Sequence, residues 1–317
     1  LAALGHRVTV FCNTKPIRCA DVDYMPLEMF RQYTEYTVHD VCIVQREPQL
    51  FSIHCRARLS ILWCHDLALR RSDPLVKGAA WLYDKVAGLS EFMRDQYKEV
   101  YALPDEAVFL TRNGVDLATV AKVREKLVAD AKVKRNPLAL VCSARPERGA
   151  DILLGEIMPR ILKHEPNARL FLSTYNNPVE HLADFYGHCK GLSDRLGKSV
   201  TYLGHLTKEQ LYEAYLLAGL YLYPTPSKLV PEFSEISCIS LMETQACGLP
   251  TVSSACGALP ETLAPGAGVL ISEKVHTPQY YDAFAEAALL LMRDPEAWRA
   301  ASAAGLERAA GLDWSGV

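Results

Sequence analysis

Several patterns that would indicate a cofactor or a compartment directly are absent from the 317-residue sequence. The ten cysteines form no CxxC pair, no cluster with histidine at zinc-ligand spacing and no dense framework of the kind found in small secreted proteins. No apolar run is long enough to span a membrane, and no signal peptide is recognisable. We therefore expect no bound metal, reduced cysteines in apolar surroundings, a cytoplasmic location and at most a peripheral membrane contact.

The charge balance gives no sign of a polyanionic partner. Lysine and arginine number 34 against 37 acidic residues, so the formal net charge is −3 and the isoelectric point is about 6.3. We expect no nucleic-acid partner. The sequence also has no GxGxxG following a strand, which disfavours a nicotinamide-dependent dehydrogenase.

Strand and helix patterns alternate along the whole chain. Half of the residues are hydrophobic, enough for two cores. Short continuous apolar runs predict parallel strands covered on both faces, at residues 41–44, 60–64, 108–110, 138–142, 169–173, 199–203, 220–224 and 269–271. We expect an α/β protein with two doubly wound domains. They would be residues 1–118 and 137–317, joined by a charged, solvated linker helix over 119–136.

The most informative stretch runs from Glu232 to Pro250. Glu235 and Glu243 stand eight positions apart, roughly 12 Å along a helix, so one elongated ligand could contact both. Ser237 is a candidate helix cap, and the N–H groups of the first turn would favour an anion such as a diphosphate. The alternative is that Glu235 is an exposed loop acid and Glu243 a surface helix residue.

Two arginines lie on the turn that follows the strand at 138–142. Arg145 and Arg148 are three residues apart in SARPERG, and guanidinium groups pair well with phosphate oxygens. The alternative is a pair of surface arginines. In the first half, His65 stands at the carboxyl end of a predicted strand, where open α/β sheets bind ligands, although a hydrogen-bonded structural histidine also fits.

In order and spacing, these segments resemble the retaining glycosyltransferases of family 4. Glu235 and Glu243 match the E-x7-E motif of that family, followed by ACGLP, and Ser143–Gly149 resembles its basic diphosphate motif, with Arg148 where lysine is commoner. Cys64-His65-Asp66 resembles the histidine motif of the N-terminal domain, and Asn113-Gly114-Val115-Asp116 the NGVD stretch. The resemblance implies the GT-B fold, in which two Rossmann-like domains face each other across a cleft.

The resemblance also implies roles for particular residues. Glu243 would bind the ribose of a UDP-, GDP- or ADP-sugar, and Glu235 would contact the sugar. Arg145 and Arg148 would neutralise the diphosphate together with N–H groups near the start of the following helix. His65 would hydrogen-bond the transferred sugar. The remaining residues expected around the donor are Gly204, Ser237, Cys238, Ile239 and Asn113. No metal or other cofactor would be needed, and the acceptor would be a glycan, a lipid-linked glycan or a small molecule.

The chain departs from the family at both ends, and at its C-terminal end it stops near Trp314, where the last helix of the family usually crosses back onto the first domain. The usual first strand and its glycine-rich loop are not recognisable, so we expect an N-terminal sheet lacking its first strand, whose open edge could support oligomerisation. This departure favours one alternative, a catalytically impaired sugar-nucleotide-binding fragment or a subunit of a larger transferase. Epimerisation or phosphorolysis on the same fold is a second alternative.

Overall fold

The computed structural model describes residues 1–53, 55–68, 76, 82–130, 134–173 and 179–316. The chain forms two compact units. The first comprises Leu1–Leu89 and Met93–Thr111, and the second Ser90–Phe92 and Arg112–Val317.

The first unit contains two small sheets. In the three-stranded sheet, β1 (Val8–Cys12) pairs in parallel with β3 (Val22–Pro26), which pairs antiparallel with β2 (Ile17–Cys19). The second sheet is entirely parallel, in the order β4-β5-β6-β7, with bounds His39–Gln45, Ala57–Trp63, Lys85–Gly88 and Val108–Leu110. Its edge strand β4 exposes Val41 and Ile43. The α-helices in its described part are α1 (Phe30–Tyr36) and α2 (Glu91–Tyr101), of which Glu91 and Phe92 are assigned to the second unit.

The second unit is built on a six-stranded parallel sheet. Its strands are β8 (Asn136–Cys142), β9 (Arg169–Ser173), β10 (Val200–Gly204), β11 (Ala218–Tyr223), β12 (Thr251–Ser254) and β13 (Gly268–Ile271). They lie in the order β10-β9-β8-β11-β12-β13. The direction of winding therefore reverses between the neighbours β8 and β11. In open α/β sheets, ligands bind at the carboxyl ends of the strands beside such a reversal.

Helices cover both faces of this sheet. Their bounds are α3 (Leu117–Ala129), α4 (Ala150–Ile152), α5 (Met158–His164), α6 (Ala183–Leu196), α7 (Lys208–Leu217), α8 (Ile239–Ala246), α9 (Leu259–Thr262), α10 (Pro278–Arg293) and α11 (Pro295–Ala309). A π-helical turn, Leu153–Ile157, joins α4 to α5. Because the strands are apolar on both faces, the core divides into two clusters, one on each side of the sheet. All six residues of β11 are buried, as its apolar sequence predicts.

The prediction that the helix over residues 119–136 is solvated is wrong. Helix α3 buries Val120, Val123 and Leu127, which join one of the two core clusters of the second unit. These residues recur at intervals of three and four, so they form a narrow apolar stripe that the many charged neighbours obscure. Residues 131–133, at the end of the predicted linker, lie outside the described part of the chain.

Candidate functional site

The loops that follow β8 and β11 approach each other at the point where the sheet order reverses. Gly149 ends the first loop with φ = 114°, a left-handed conformation that favours glycine. A Cβ atom at this position would lie 1.8 Å from the carbonyl oxygen of Pro224, just beyond β11. Gly149 therefore permits a close backbone approach that a larger residue would prevent.

Glu235 is the acidic residue at the centre of this approach. Its side chain is 5% exposed. Its Oε2 accepts hydrogen bonds from the Arg148 guanidinium at 3.0 Å and the Tyr223 hydroxyl at 2.6 Å. The Arg148 guanidinium carbon also lies 4.3 Å from the centre of the Phe233 ring. The alternative interpretation, an exposed loop acid, is wrong, because Glu235 is buried and paired.

Arg148, Tyr223 and Glu235 interact electrostatically, and the pKa values of Arg148 and Tyr223 are shifted as a result. Burial alone would lower the pKa of Arg148, but Tyr223 and the Glu235 carboxylate raise it above its ordinary value. Burial, reinforced by the negative charge of Glu235, raises the pKa of Tyr223. Arg148 therefore stays charged and Tyr223 stays protonated at neutral pH, so the tyrosine can only donate to the carboxylate.

Glu243 lies in helix α8 and is also buried, with a side chain that is 4% exposed. Its Oε1 accepts from the Lys208 ammonium at 2.5 Å and the Tyr212 hydroxyl at 3.1 Å. The alternative interpretation, a surface helix residue, is therefore wrong for Glu243 as well. Lys208 and Tyr212 belong to α7, which follows β10.

The two carboxylates influence the same thiol. Burial raises the pKa of Cys238, Glu235 and Glu243 both raise it further, and Arg148 opposes them. Glu235, Glu243 and Arg148 thus act on one buried group at the start of α8.

The start of α8 differs from the prediction in its cap. The residue preceding the helix is Cys238, whose side chain makes no capping hydrogen bond. Ser237, the predicted cap, instead accepts a hydrogen bond at 3.0 Å from the amide nitrogen of Asn113. Ile239 opens the helix and is 38% exposed. Because no side-chain oxygen caps the helix, N–H groups at its start, other than that of Leu241 beside the Cys238 thiol, can donate to an anion.

Two other predicted residues of the second unit, Arg145 and Gly204, make none of these contacts. Arg145 pairs with Glu147 on its own loop rather than with Glu235. Gly204 ends β10 with φ = 69° and accepts a hydrogen bond from Ser173 through its carbonyl. Since a Cβ atom on Gly204 would meet nothing within 4 Å, the surface there is open.

His65 belongs to the first unit and lies just beyond β5. Its ring is 4.9 Å from the ring of Trp63. Within the described part of the chain, Nε2 is enclosed without a hydrogen-bond partner. Burial, followed by the charge of Arg46, lowers the pKa of His65, so the ring is neutral at pH 7.

Sequence reasoning missed Lys208, Tyr212 and Tyr223. None of them stands in a recognisable motif, and the acids that they contact lie 35, 31 and 12 positions away along the chain. One sequence signal was available for Lys208: it directly follows Thr207, the residue that caps α7, so it lies at the start of a helix.

All ten cysteines are free, and six of them are buried.

Among the described residues, no cluster of three or more histidine, cysteine or acidic side chains could hold a metal ion. Nor do those residues include a helix of the length and hydropathy needed to cross a membrane.

Known proteins resemble the chain in sequence. A D-inositol 3-phosphate glycosyltransferase of Mycobacteroides abscessus is 34% identical over 234 residues, which is 70% of this chain and 46% of that protein. A GDP-mannose-dependent monoacylated alpha-(1-6)-phosphatidylinositol monomannoside mannosyltransferase of Corynebacterium glutamicum is 25% identical over 52% of this chain and 41% of its own length. The chain thus spans about half the length of these curated relatives or less.

Solved structures share the fold. Sucrose-phosphate synthase of Thermosynechococcus elongatus superposes with a TM-score of 0.77 at 19% identity, covering 99% of this chain and 87% of that one. Anabaena HepE in complex with UDP and glucose gives 0.69 at 16% identity, over 90% and 76%. These likenesses establish the α/β fold with two Rossmann-like domains that the sequence predicts, the GT-B type. The sequence profile described as "Glycosyl transferases group 1" matches residues 136–294, half of the 317 residues. The chain therefore belongs to the group 1 glycosyltransferase family.

Proposed function

We propose that this protein is a retaining family 4 glycosyltransferase that moves a sugar from a nucleoside diphosphate sugar to an acceptor hydroxyl. The observation that carries the proposal is the buried contact of Arg148 and Tyr223 with Glu235, beside a helix start that lacks a side-chain cap. This cluster lies where the sheet order reverses, the position at which such sheets bind nucleotides.

The diphosphate is assigned to Arg148 and the start of α8. One terminal nitrogen of the Arg148 guanidinium donates to Glu235, and the guanidinium has further N–H groups that can donate to a phosphate. The N–H groups at Cys238 and Ile239 lie at the positive end of the helix dipole, which favours an anion. Arg145 adds a second positive charge on the same loop. Together these groups stabilise the charge released when the diphosphate departs, without a metal ion.

The ribose is assigned to Glu243, whose buried carboxylate can accept from a hydroxyl group. Gly204 belongs to the open surface beside the nucleotide, and Asn113 holds Ser237 next to the helix start. Glu235 contacts the donor sugar. Because Arg148 and Tyr223 already bind its Oε2, Glu235 orients the sugar and is not the nucleophile.

The reaction keeps the configuration of the anomeric carbon. The bond from this carbon to the phosphate oxygen breaks, and its electron pair leaves with the diphosphate. The acceptor oxygen bonds to the same face of the carbon, and the acceptor proton passes to the departing phosphate oxygen. Neutral His65 hydrogen-bonds the transferred sugar. Binding energy holds the acceptor hydroxyl in place for this step.

The relatives suggest which substrates to test. Two of them are named for inositol 3-phosphate and for GDP-mannose, and HepE was solved with UDP-glucose. The donor panel is therefore UDP-glucose, UDP-N-acetylglucosamine, GDP-mannose and ADP-glucose, each with and without inositol 3-phosphate or a simple glycoside. Because all ten cysteines are free, the proposed location is the cytoplasm.

The deciding assay measures transfer and donor hydrolysis with this panel. We expect transfer that persists in EDTA and yields a product with the donor's anomeric configuration. Replacing Glu243 by alanine should weaken nucleotide binding, whereas replacing Glu235 should mainly slow transfer. Nucleotide binding without turnover on any acceptor would support the alternative, a binding fragment or subunit. No binding of any donor would contradict both.

A further inference from the structure

The carboxylate of Glu243 is held through only one of its two oxygens. Oε1 accepts hydrogen bonds from both Lys208, at 2.5 Å, and Tyr212, at 3.1 Å. No described residue donates to Oε2, and this oxygen is not among the fully enclosed unpartnered atoms. The acid therefore has one occupied oxygen and one that is neither bonded to a described residue nor fully enclosed.

The number of lone pairs on the Glu243 carboxylate limits how many hydrogen bonds each of its oxygens can accept. An ionised carboxylate has about four acceptor positions, two on each oxygen. Lys208 and Tyr212 take both positions on Oε1. A diol that approached Glu243 with two hydroxyl groups could not bond both oxygens in parallel, because Oε1 has no acceptor position left.

The two donors are well placed to keep this arrangement. Lys208 opens α7, whose start is fixed by a capping box between Thr207 and Gln210. Tyr212 follows Lys208 by four residues, so both side chains project from one face of the helix. Tyr212 is buried, whereas the Lys208 side chain is 62% exposed. One donor is thus locked by packing, and the other reaches Glu243 from the surface.

We propose that Lys208 and Tyr212 are positioning residues that occupy Oε1, so that Glu243 recognises only one of the two ribose hydroxyls through Oε2. This inference rests on the proposed function, in which Glu243 binds the ribose. It adds that the choice between the two ribose hydroxyls depends on Lys208 and Tyr212 of α7 as well as on Glu243.

The test compares nucleoside diphosphates that differ by one hydroxyl. The 317-residue chain is titrated calorimetrically with UDP, GDP and ADP, and then with the 2′-deoxy and 3′-deoxy forms of the tightest binder. For the wild type we expect one deoxy form to bind about tenfold more weakly, a difference of about 1.4 kcal/mol, and the other to bind within about twofold.

Lys208→Met should change this pattern. With Oε1 partly released, both deoxy forms should bind more weakly than the parent nucleotide. Lys208→Arg, which keeps a cationic donor, should restore the wild-type pattern. The matched control is Lys122→Met, because Lys122 also forms a surface ion pair with an acid of α7, at 2.9 Å from Glu209. This control should behave as the wild type.

The outcomes separate the inference from the function. Equal losses for both deoxy forms in the wild type, or an unchanged pattern in Lys208→Met, would overturn the single-hydroxyl recognition and leave the proposed function standing. A wild-type chain that binds none of the three nucleoside diphosphates would overturn the proposed function, and the ribose assignment with it.

Discussion

At the scale of single residues, two arginines that look equivalent in the sequence have different partners in the structure. Arg145 and Arg148 lie three positions apart on one loop, but Arg145 pairs with its neighbour Glu147 and Arg148 pairs with Glu235, 87 positions away. Arg148 is also held against Phe233. We therefore expect Arg148 to contribute more to binding of the diphosphate, because its guanidinium is already fixed beside the helix start.

Replacing Arg148 tests this assignment. Arg148→Met should weaken binding of the free nucleoside diphosphate by about 1.5–3 kcal/mol, the scale of hydrogen bonds to a charged group. Affinity for the nucleoside without phosphates should be unchanged. Both are measured by calorimetry, with thermal unfolding as a check that the chain is folded, since Glu235 loses its cation. Arg299→Met is the control, because Arg299 forms an exposed pair with Glu296. Equal losses for nucleoside and diphosphate would contradict the role.

At the scale of elements, Asp116 shows how a motif residue can have a structural role. It belongs to the NGVD stretch, yet its side chain caps helix α3 by accepting from the backbone N–H of Thr119 at 2.9 Å. Hydrogen bonds from the Thr119 side chain and backbone lower the pKa of Asp116 below its ordinary 3.8. The cap therefore stabilises the fold when Asp116 is ionised.

Removing this cap gives a pH-dependent prediction. At pH 7, Asp116→Ala should lower the free energy of unfolding by about 1 kcal/mol. Because the pKa is lower in the folded state, the contribution is complete above the ordinary value of 3.8 and is lost as the pH falls through the folded-state value. Denaturant unfolding at several pH values measures the difference. Glu125→Ala, an exposed acid on the same helix, should show no such loss.

The loop after β8 depends on its closing glycine. Gly149→Ala would force a Cβ atom to within 1.8 Å of the Pro224 carbonyl oxygen at a left-handed φ. We expect a loss of more than about 2 kcal/mol in the free energy of unfolding, together with weaker nucleotide binding, because the loops bearing Arg148 and Glu235 must separate. The matched control is Gly187→Ala in the interior of α6, where a Cβ atom meets nothing within 4 Å.

The control should change stability in the opposite direction. Alanine is favoured over glycine inside a helix by roughly 0.5–1 kcal/mol, so Gly187→Ala should stabilise the chain. Equal effects at the two glycines would show that the close approach at Gly149 does not limit the fold.

At the scale of the whole molecule, the residues proposed to bind the donor, or to position a residue that does, are unevenly divided between the two units. Arg148, Glu235, Glu243 and Lys208 all belong to the second unit, whereas His65 belongs to the first. Each unit has its own sheet hydrogen bonds and its own buried residues. A ligand that contacts only the second unit should therefore stabilise that unit directly.

This division predicts the response to heating. Scanning calorimetry should resolve two transitions, and a nucleoside diphosphate at about 100 times its Kd should stabilise one of them by about 2.7 kcal/mol. Glu243→Ala should abolish the shift without removing the transition. A single transition that shifts as a whole would contradict independent unfolding of the units.

Local patterns along the chain predict most strands of the larger sheet and the order of the motifs. Continuous apolar runs predicted these strands, because a parallel strand that is buried on both faces is apolar at every position. All six residues of β11 are buried, which makes it the clearest case. The E-x7-E spacing and the arginine pair depend on local order along the chain, so they could be recognised before any fold was known. Local patterns failed at α3, where charged residues obscured a narrow apolar stripe.

The partners of the site residues depend on packing between segments that are far apart along the chain. Glu235 meets Arg148 because β8 and β11 are neighbours at the reversal of the sheet order, and Glu243 meets Lys208 because α7 and α8 approach each other on the same sheet. These pairs are separated by 87 and 35 positions, beyond the range of any local periodicity. The burial of both acids likewise follows from packing, because hydrophobic pattern alone places a glutamate at the surface.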